Sequence, residues 1–416
     1  MSYAHHLRGL KSGAEYPIDR LMNLDPIDGK PVEIVLDLER LRRELPDLAW
    51  YHPQRRDMWR FGALLALDSA DPADQPHITA LGEGCTPLRD YGSHPLARKI
   101  GFALQIKDEG KAEPGYGANP TQSFKDRGMA MAVSMARRFG LRKLVVPTQG
   151  NAGDSLLEYG LAAGLEIAVL MPDDTPMPIQ GRVAAMALRR PDVRLELVSG
   201  TIREAGALMR EKYLPEGYFN VATFQEPGWR IEGKKTLGLE LAEPLPGSGA
   251  WRLPDAIIYP TGGGTGVLGM WKAFDELEAL GVIGPARPRM ICVQSAATPP
   301  IVEAWRAGAD DTTPAAGGKT LATGLNVPGG VGHFKVLEII RASGGMALAV
   351  EEEAIARALR EAWRDTRWWL CSEAAACLAA LDQLADLGAL KPGERVVVVN
   401  TGSLEKYLPE LRHLLE

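Results

Sequence analysis

Ala256-Ile257-Ile258-Tyr259-Pro260-Thr261-Gly262-Gly263-Gly264-Thr265-Gly266 is the stretch on which the fold turns. An apolar run, a turn almost without side chains, and then helical spacing over 267–280 make the strand-turn-helix unit of an open α/β sheet. Four glycines in five positions let backbone N–H groups approach an anion, and a helix N-terminus adds a favourable dipole. A mere connection does not need so much chain freedom, so the turn reads as a phosphate cradle. Gly264-Thr265-Gly266-Val267-Leu268-Gly269 formally satisfies the GxGxxG pattern of dinucleotide sites. The next strand, however, ends Cys292-Val293-Gln294, where an acid should hold a ribose hydroxyl. No Lys-Ser/Thr pair closes the loop as in a nucleotide P-loop, so a small monophosphate is the expected ligand.

Outward from this turn, short buried strands are expected at 144–146, 167–170, 195–198, 257–259, 290–293 and 395–399, alternating with helices such as 123–139 and 155–163. Gly140 and Gly164 follow those two helices where a left-handed cap is wanted. The alternation predicts an α/β fold with mostly parallel sheet. The Gly/Pro/Thr-rich stretch 308–332 reads as a long surface excursion. Ligands of such sheets gather at the carboxyl ends of strands, which singles out the loops 148–153, 261–266 and 400–403.

Composition sets outer limits. The chain has 416 residues, 45% apolar and 24% charged, enough for a large packed core, and 45 Gly with 30 Pro recur at no fixed period. A net charge of −6 without a dense basic block speaks against a nucleic-acid partner. No run approaches the roughly 18 apolar residues of a membrane span, and residues 1–13 lack the apolar core of a secretory signal. A cytoplasmic protein with no membrane partner is expected. Cys85, Cys292, Cys371 and Cys377 contain no CxxC pair and are expected as reduced, buried thiols.

Asn119-Pro120-Thr121-Gln122-Ser123-Phe124-Lys125-Asp126-Arg127-Gly128 places a lysine in the first turn of a helix. The positive end of the helix and a neighbouring Phe124 both favour a neutral, nucleophilic amine able to form a Schiff base. A Schiff-base lysine together with a separate phosphate cradle implies a carbonyl cofactor with a phosphate arm, pyridoxal 5′-phosphate (PLP).

At this point the chain resembles the fold type II PLP enzymes and, within them, the threonine synthases. The resemblance rests on Leu81-Gly82-Glu83-Gly84-Cys85-Thr86-Pro87-Leu88, the lysine block, Arg230-Ile231-Glu232-Gly233-Lys234-Lys235-Thr236, the glycine turn, and Asn400-Thr401-Gly402-Ser403, in family order. It implies a two-domain, tryptophan synthase β-like fold of open, mostly parallel twisted sheets with helices on both faces. The domains implied are 36–130 with 215–416 as a large PLP-binding domain, 131–214 as a small domain carrying the asparagine loop, and 1–35 as a degenerate zinc-ribbon-like segment. By position, Lys125 holds PLP and moves protons, Asn151 faces the ring oxygen, and Gly262, Gly263, Gly264, Thr265 and Gly266 hold the phosphate. Thr401 faces the pyridine nitrogen with a hydroxyl, which gives a weaker electron sink than a carboxylate would. Thr86, Thr148, Gln149, Gly150, Arg182 and Arg230 are the implied substrate residues. A homodimer is carried by the resemblance alone.

The chain departs from the family in several places. Gly9, Ser12, Asp25 and Asp28 stand where the ribbon has metal-binding cysteines, so no metal is expected. Ala152 follows the asparagine where Thr or Ser is common, and Thr223-Phe224 replaces an Asn-Ser pair. Asp154 reads as an N-terminal cap of its helix, the alternative being a carboxylate that faces the cleft and opposes a substrate phosphate. Trp363, Trp368 and Trp369 read as core packing. The expected reaction is γ-elimination of phosphate from O-phospho-L-homoserine and β-addition of water to give L-threonine. The alternative is a PLP lyase or β-substitution enzyme acting on another amino acid, serine/threonine dehydratase-like or cysteate synthase-like. From other classes, an NAD-dependent oxidoreductase would use the GxGxxG match, and a non-enzymatic paralogue would bind without turnover.

Overall fold

The structure, a computed structural model, describes residues 3–245 and 249–415. Strands β1 (Ala4–Gly9), β2 (Glu15–Pro17) and β3 (Val32–Leu36) open the chain, followed by β4 (Leu88–Asp90) and β5 (Ala103–Asp108). Next come β6 (Lys143–Pro147), β7 (Glu166–Pro172), β8 (Val193–Val198) and β9 (Phe219–Asn220), then β10 (Ala256–Pro260), β11 (Arg289–Ser295), β12 (Met346–Val350) and β13 (Arg395–Asn400). All six strands expected from the sequence are among them. The chain divides into two compact units, Met1–Cys85 with Gly117–Thr236, and Thr86–Tyr116 with Leu237–Glu416.

The first unit holds a small antiparallel sheet ordered β2-β1-β3 and a parallel sheet ordered β8-β7-β6-β9. Val145, Ala168 and Leu170 pack against Ala205, Met209, Tyr213 and Tyr218 to bury one face of the parallel sheet. The second unit holds six strands ordered β12-β11-β10-β13-β5-β4, parallel except for β4. Ile258, Val293, Val396 and Val398 pack with the helix Ser372–Asp386 in its core. Strands covered on both faces need continuous apolar runs, which is why 395–399 was conspicuous in the sequence. Gly140 and Gly164 have φ of +70° and +68°, the left-handed caps their positions predicted.

These units meet the chain at 85/86, 116/117 and 236/237, whereas the sequence boundaries lay at 35/36, 130/131 and 214/215. The reason is packing around the lysine helix. Ser155 Oγ donates to Asp126 Oδ1 at 2.6 Å, tying the helix Lys125–Arg138 to the helix Asn151–Ala162. A Cβ on Gly233 would lie 2.0 Å from the Arg127 carbonyl, so the helix beginning at Trp229 crosses the lysine helix at backbone contact.

Two readings are corrected. The stretch 308–332 is not a surface excursion throughout: Ala322 and Leu325 are buried in the second unit's core, and Gly324 N donates to Glu373 Oε1 at 2.8 Å. Its small residues serve close packing. Asp154 does not cap its helix, whose N-cap is Gly150 without a side-chain cap; its carboxylate ion-pairs with Arg182 at 2.9 Å instead. In the N-terminal segment, Asp25 accepts from Ser12 Oγ at 2.5 Å, Tyr16 Oη at 2.6 Å and Ile27 N at 2.9 Å. A Cβ on Gly9 would fall 2.0 Å from that same carboxylate. Three of the four cysteine-equivalent positions thus converge on a hydrogen-bonded carboxylate.

Candidate active site

In the first unit, the loop before Lys125 is held by one buried carboxylate. Asp126 accepts from Thr121 N and Thr121 Oγ1, each at 2.7 Å, as well as from Ser155. This fixes the first turn of the lysine helix relative to the Asn151 helix. Gln122, two residues upstream of Phe124, has φ +56°, in the region that favours glycine. Lys125 Nζ lies 4.8 Å from the centre of the Phe124 ring, an aromatic face that displaces water from the amine.

The asparagine loop follows β6 at its carboxyl end. Thr148 Oγ1 accepts from Gly150 N at 3.0 Å, and Gly150, at φ +135°, turns the chain so that Asn151 is the first residue of its helix. Thr148 is buried and Gln149 half-buried. Three residues beyond Asn151, Asp154 engages Arg182, which also pairs with Glu158. Arg182 therefore sits between two carboxylates, with its positive charge already compensated.

Arg230 is placed differently. Its helix is anchored by buried Trp229, packed 5.5 Å from Phe139 and 5.4 Å from Phe219. Arg230 is 1% exposed, and its Nη1 donates to the Val221 carbonyl at 3.2 Å. Nε and Nη2 have no hydrogen-bond partner among the described residues. Glu226, one turn upstream, accepts from Arg230 N at 3.1 Å, and burial pushes its carboxyl up to about 7 against the pull of Arg230. Buried donors of a cation left open are rare, and they point to an anion that completes them.

In the second unit, β10 and β13 are neighbours, so the glycine turn and Thr401 leave the sheet at the same end. Gly264, at φ +88°, opens the helix Thr265–Ala279. A Cβ on Gly262 would meet the Gly324 carbonyl at 2.7 Å, one on Gly264 would meet Val336 Cγ2 at 2.4 Å, and one on Gly266 would meet Tyr259 Oη at 2.0 Å. The turn is thus braced from behind by packed atoms and needs bare backbone, the geometry a phosphate cradle requires. His333 Nε2 lies 3.0 Å from the Gly262 carbonyl, which turns that acceptor away from an incoming anion. Gln294 is consumed in holding backbone: Nε2 donates to the Thr261 carbonyl at 3.1 Å, and Oε1 accepts from Ile301 N at 2.9 Å. Its place offers a dinucleotide no acid. Thr401, 8% exposed, has Oγ1 3.7 Å from Cys371 Sγ, and Asn400 beside it is fixed by Asp108 at 2.7 Å. Thr86 Oγ1 donates to Glu109 Oε1 at 2.5 Å, and its carbonyl accepts from Lys107 Nζ at 2.6 Å.

The sequence-expected residues therefore fall into two sets: Lys125, Thr148, Gln149, Gly150, Asn151, Arg182 and Arg230 in the first unit, and Thr86, Gly262 to Gly266 and Thr401 in the second. Sequence reasoning passed over His333 and Glu83. Glu83 is fully buried and accepts from Trp59 Nε1 and Tyr159 Oη, each at 2.7 Å, shaping the loop before Thr86. It also passed over Lys234, although Arg230-x-x-x-Lys234 places two cations on one helix face. All four cysteines are free and buried. Burial pushes the thiol of Cys292 up to about 12 and that of Cys371 higher still, and neither is a nucleophile. Trp363 and Trp369 are half-buried and meet at a tilt of 58° with ring centres 5.0 Å apart.

Residues 79–402 match a family model described as "Pyridoxal-phosphate dependent enzyme". A threonine synthase of Methanosarcina acetivorans is 32% identical over 414 residues, spanning 97% of this chain and 92% of that protein. One from Methanocaldococcus jannaschii is 30% identical, spanning 95% of this chain and 91% of that protein. Among solved structures, the processed form of threonine deaminase isoform 2 from Solanum lycopersicum superposes with a TM-score of 0.63 at 21% identity, covering 83% of this chain and 90% of that one.

Proposed function

The chain belongs to the fold type II pyridoxal-phosphate-dependent enzymes and, within them, to the threonine synthases, and on that premise we propose the following reaction and division of labour. The substrate is O-phospho-L-homoserine; phosphate leaves from the γ-carbon, water adds at the β-carbon, and L-threonine is released. PLP, when bound, withdraws electrons from the substrate's α-carbon. The residues present suit it: the bare turn at 262–266 is shaped for its phosphate, and Lys125 is a half-buried amine against an aromatic face.

Lys125 binds the cofactor and moves protons at the substrate. Asn151 takes the ring oxygen; Thr148, Gln149, Gly150 and Thr86 take the substrate carboxylate end. Gly262, Gly263, Gly264, Thr265 and Gly266 bind the cofactor phosphate through backbone N–H groups and the helix dipole. Thr401 meets the ring nitrogen with a neutral hydroxyl, so the ring stays a modest electron sink, which suits expulsion of a good leaving group. Arg230 binds the leaving phosphate, and Arg182 joins it only by releasing Asp154 and Glu158. The enzyme is cytoplasmic and acts as a homodimer.

The observation that carries this reading is Arg230, 1% exposed, whose Nε and Nη2 have no hydrogen-bond partner among the described residues. A neutral hydroxyl leaving group would not repay so buried a charge; a phosphate does. The test is to mix the PLP-loaded protein with phosphohomoserine, L-serine, L-threonine and phosphoserine, and to assay products. Inorganic phosphate and threonine in equal amounts are expected. Keto acid and ammonia from serine or threonine, with phosphohomoserine inert, would establish the dehydratase reading, and a sulfonate product the cysteate synthase-like one.

A further inference from the structure

One buried amine has no part in the assignments above. Lys234 lies one helical turn beyond Arg230 and is fully buried. Its Nζ is 4.4 Å from the centre of the Phe124 ring, the same ring that Lys125 Nζ approaches at 4.8 Å. Room for it is made by Gly128: a Cβ there would stand 3.3 Å from Lys234 Cε and 3.5 Å from Arg230 Cβ. Lys125, Arg230 and Lys234 thus form one cationic cluster in the first unit. Burial, reinforced by Lys125 and Arg230, drives the Lys234 amine well below the ordinary lysine range, and Glu226 pulls the other way. Gathering Arg230 and Lys234 out of water beside the half-buried Lys125 is unfavourable unless something negative joins them, and the open Nε and Nη2 of Arg230 mark where it would bind.

We propose that Lys234 is a specificity-determining residue that, with Arg230, binds the dianionic leaving group of the substrate and makes the site select phosphorylated over unmodified hydroxy-amino acids. This rests on the reading of a phosphorylated substrate given above. Without an anion, burial favours the neutral form of Lys234; an entering dianion favours the charged form, so that binding draws a proton from solvent. Lys234 then donates to a phosphate oxygen where Thr or Ser at position 152 and the Asn-Ser at 223–224 are missing.

The test uses inorganic phosphate as probe and the PLP-loaded protein, so that the cofactor's own phosphate site is filled. Calorimetric titration at pH 8.5 in two buffers of different ionisation enthalpy reads affinity and proton uptake together. At that pH Glu226, with its carboxyl at about 7, is mostly ionised, as is phosphate. Wild-type protein is expected to take up close to one proton per phosphate, and Lys234→Met to bind at least about tenfold more weakly with that uptake abolished. Lys234→Gln, which keeps a hydrogen-bond donor, is expected to regain part of the affinity and none of the uptake. Unchanged cofactor absorbance reports that each variant is folded. Phosphate affinity within about threefold of wild type in Lys234→Met, or proton uptake that persists there and so belongs to Glu226 or Lys125, overturns the proposal. A wild-type protein that does not bind phosphate overturns it too. Turnover of phosphohomoserine by the wild type, measured separately, tells this failure from failure of the reaction reading.

Discussion

The glycine turn at 262–266 and the helix face bearing Arg230 and Lys234 are both built for anions, by opposite means. The turn offers neutral dipoles, bare N–H groups fixed by atoms packed behind them at Gly324, Val336 and Tyr259. The helix face offers basic side chains held out of water, the Arg230 charge foremost, with Glu226 as the acid beside them. Neutral dipoles are buried at little expense, so the turn is ready whether or not an anion is present. Buried charges are strained until the anion arrives, and that strain is what lets a site discriminate. A permanent cofactor suits the first design, and a substrate that must be told from its unphosphorylated analogues suits the second.

The comparison breaks most visibly at Lys125. Lys125→Ala is expected to remove the visible absorbance of the bound cofactor and to lower turnover by about 10³-fold or more, while PLP added in excess still binds at the intact turn. Loss of both binding and colour would mean that the turn does not hold the phosphate by itself.

Next in size is pH. Burial pushes Glu83 and Glu226 up to about 7 from an ordinary 4.5. A carboxyl whose folded-state pKa is raised stabilises the fold fully below 4.5 and loses that contribution as pH climbs through 7. About 3 kcal/mol for each should disappear over that window, read as urea midpoints at pH 5 and pH 8. Glu83→Gln and Glu226→Gln should each flatten the slope by their own share. A slope unchanged in both variants would place the titrating group elsewhere.

Arg230 and Arg182 sharpen the contrast between an open cation and a compensated one. Arg230→Lys is expected to raise KM for phosphohomoserine by about 30-fold, since a point charge cannot replace the bidentate fork. Arg182→Lys, already between Asp154 and Glu158, should change it by less than about threefold. Equal effects would remove Arg230 from its assigned role.

The smallest effect is expected at the turn. Gly266→Ala should weaken PLP binding by about tenfold, because the new methyl collides with Tyr259 Oη. Gly266→Ala combined with Tyr259→Phe, which removes that oxygen, should recover much of the loss in an equilibrium titration. No recovery would mean that the backbone conformation, rather than the contact, sets the requirement for glycine.

Much of the fold was legible because its strands are unbroken apolar runs bounded by glycines. β5 escaped notice because Ala103-Leu104-Gln105-Ile106-Lys107-Asp108 carries polar residues, two of which are buried in ion pairs: Lys107 with Glu240 at 2.7 Å and Asp108 with Arg89 at 2.9 Å. The 308–332 stretch was misread because Gly and Pro mark both solvent loops and close backbone packing, and only the nearness of Gly324 to Gly262 distinguishes them. Asp154 had correct cap chemistry but sits in the fourth helical position with Arg182 in reach, and the ion pair prevailed.

Sequence by itself determined the parallel α/β plan, the bare turn, the lysine in the first turn of a helix, and the alternation that brings loops to the carboxyl ends of strands. These depend on local propensity, hydrophobic period and the absence of side chains, all written residue by residue. Tertiary structure alone decided which cations are compensated and which are left open. The ionic state of Arg182, Arg230 or Lys234 is set by carboxylates and rings distant in the chain, and by a burial that no single stretch of residues encodes.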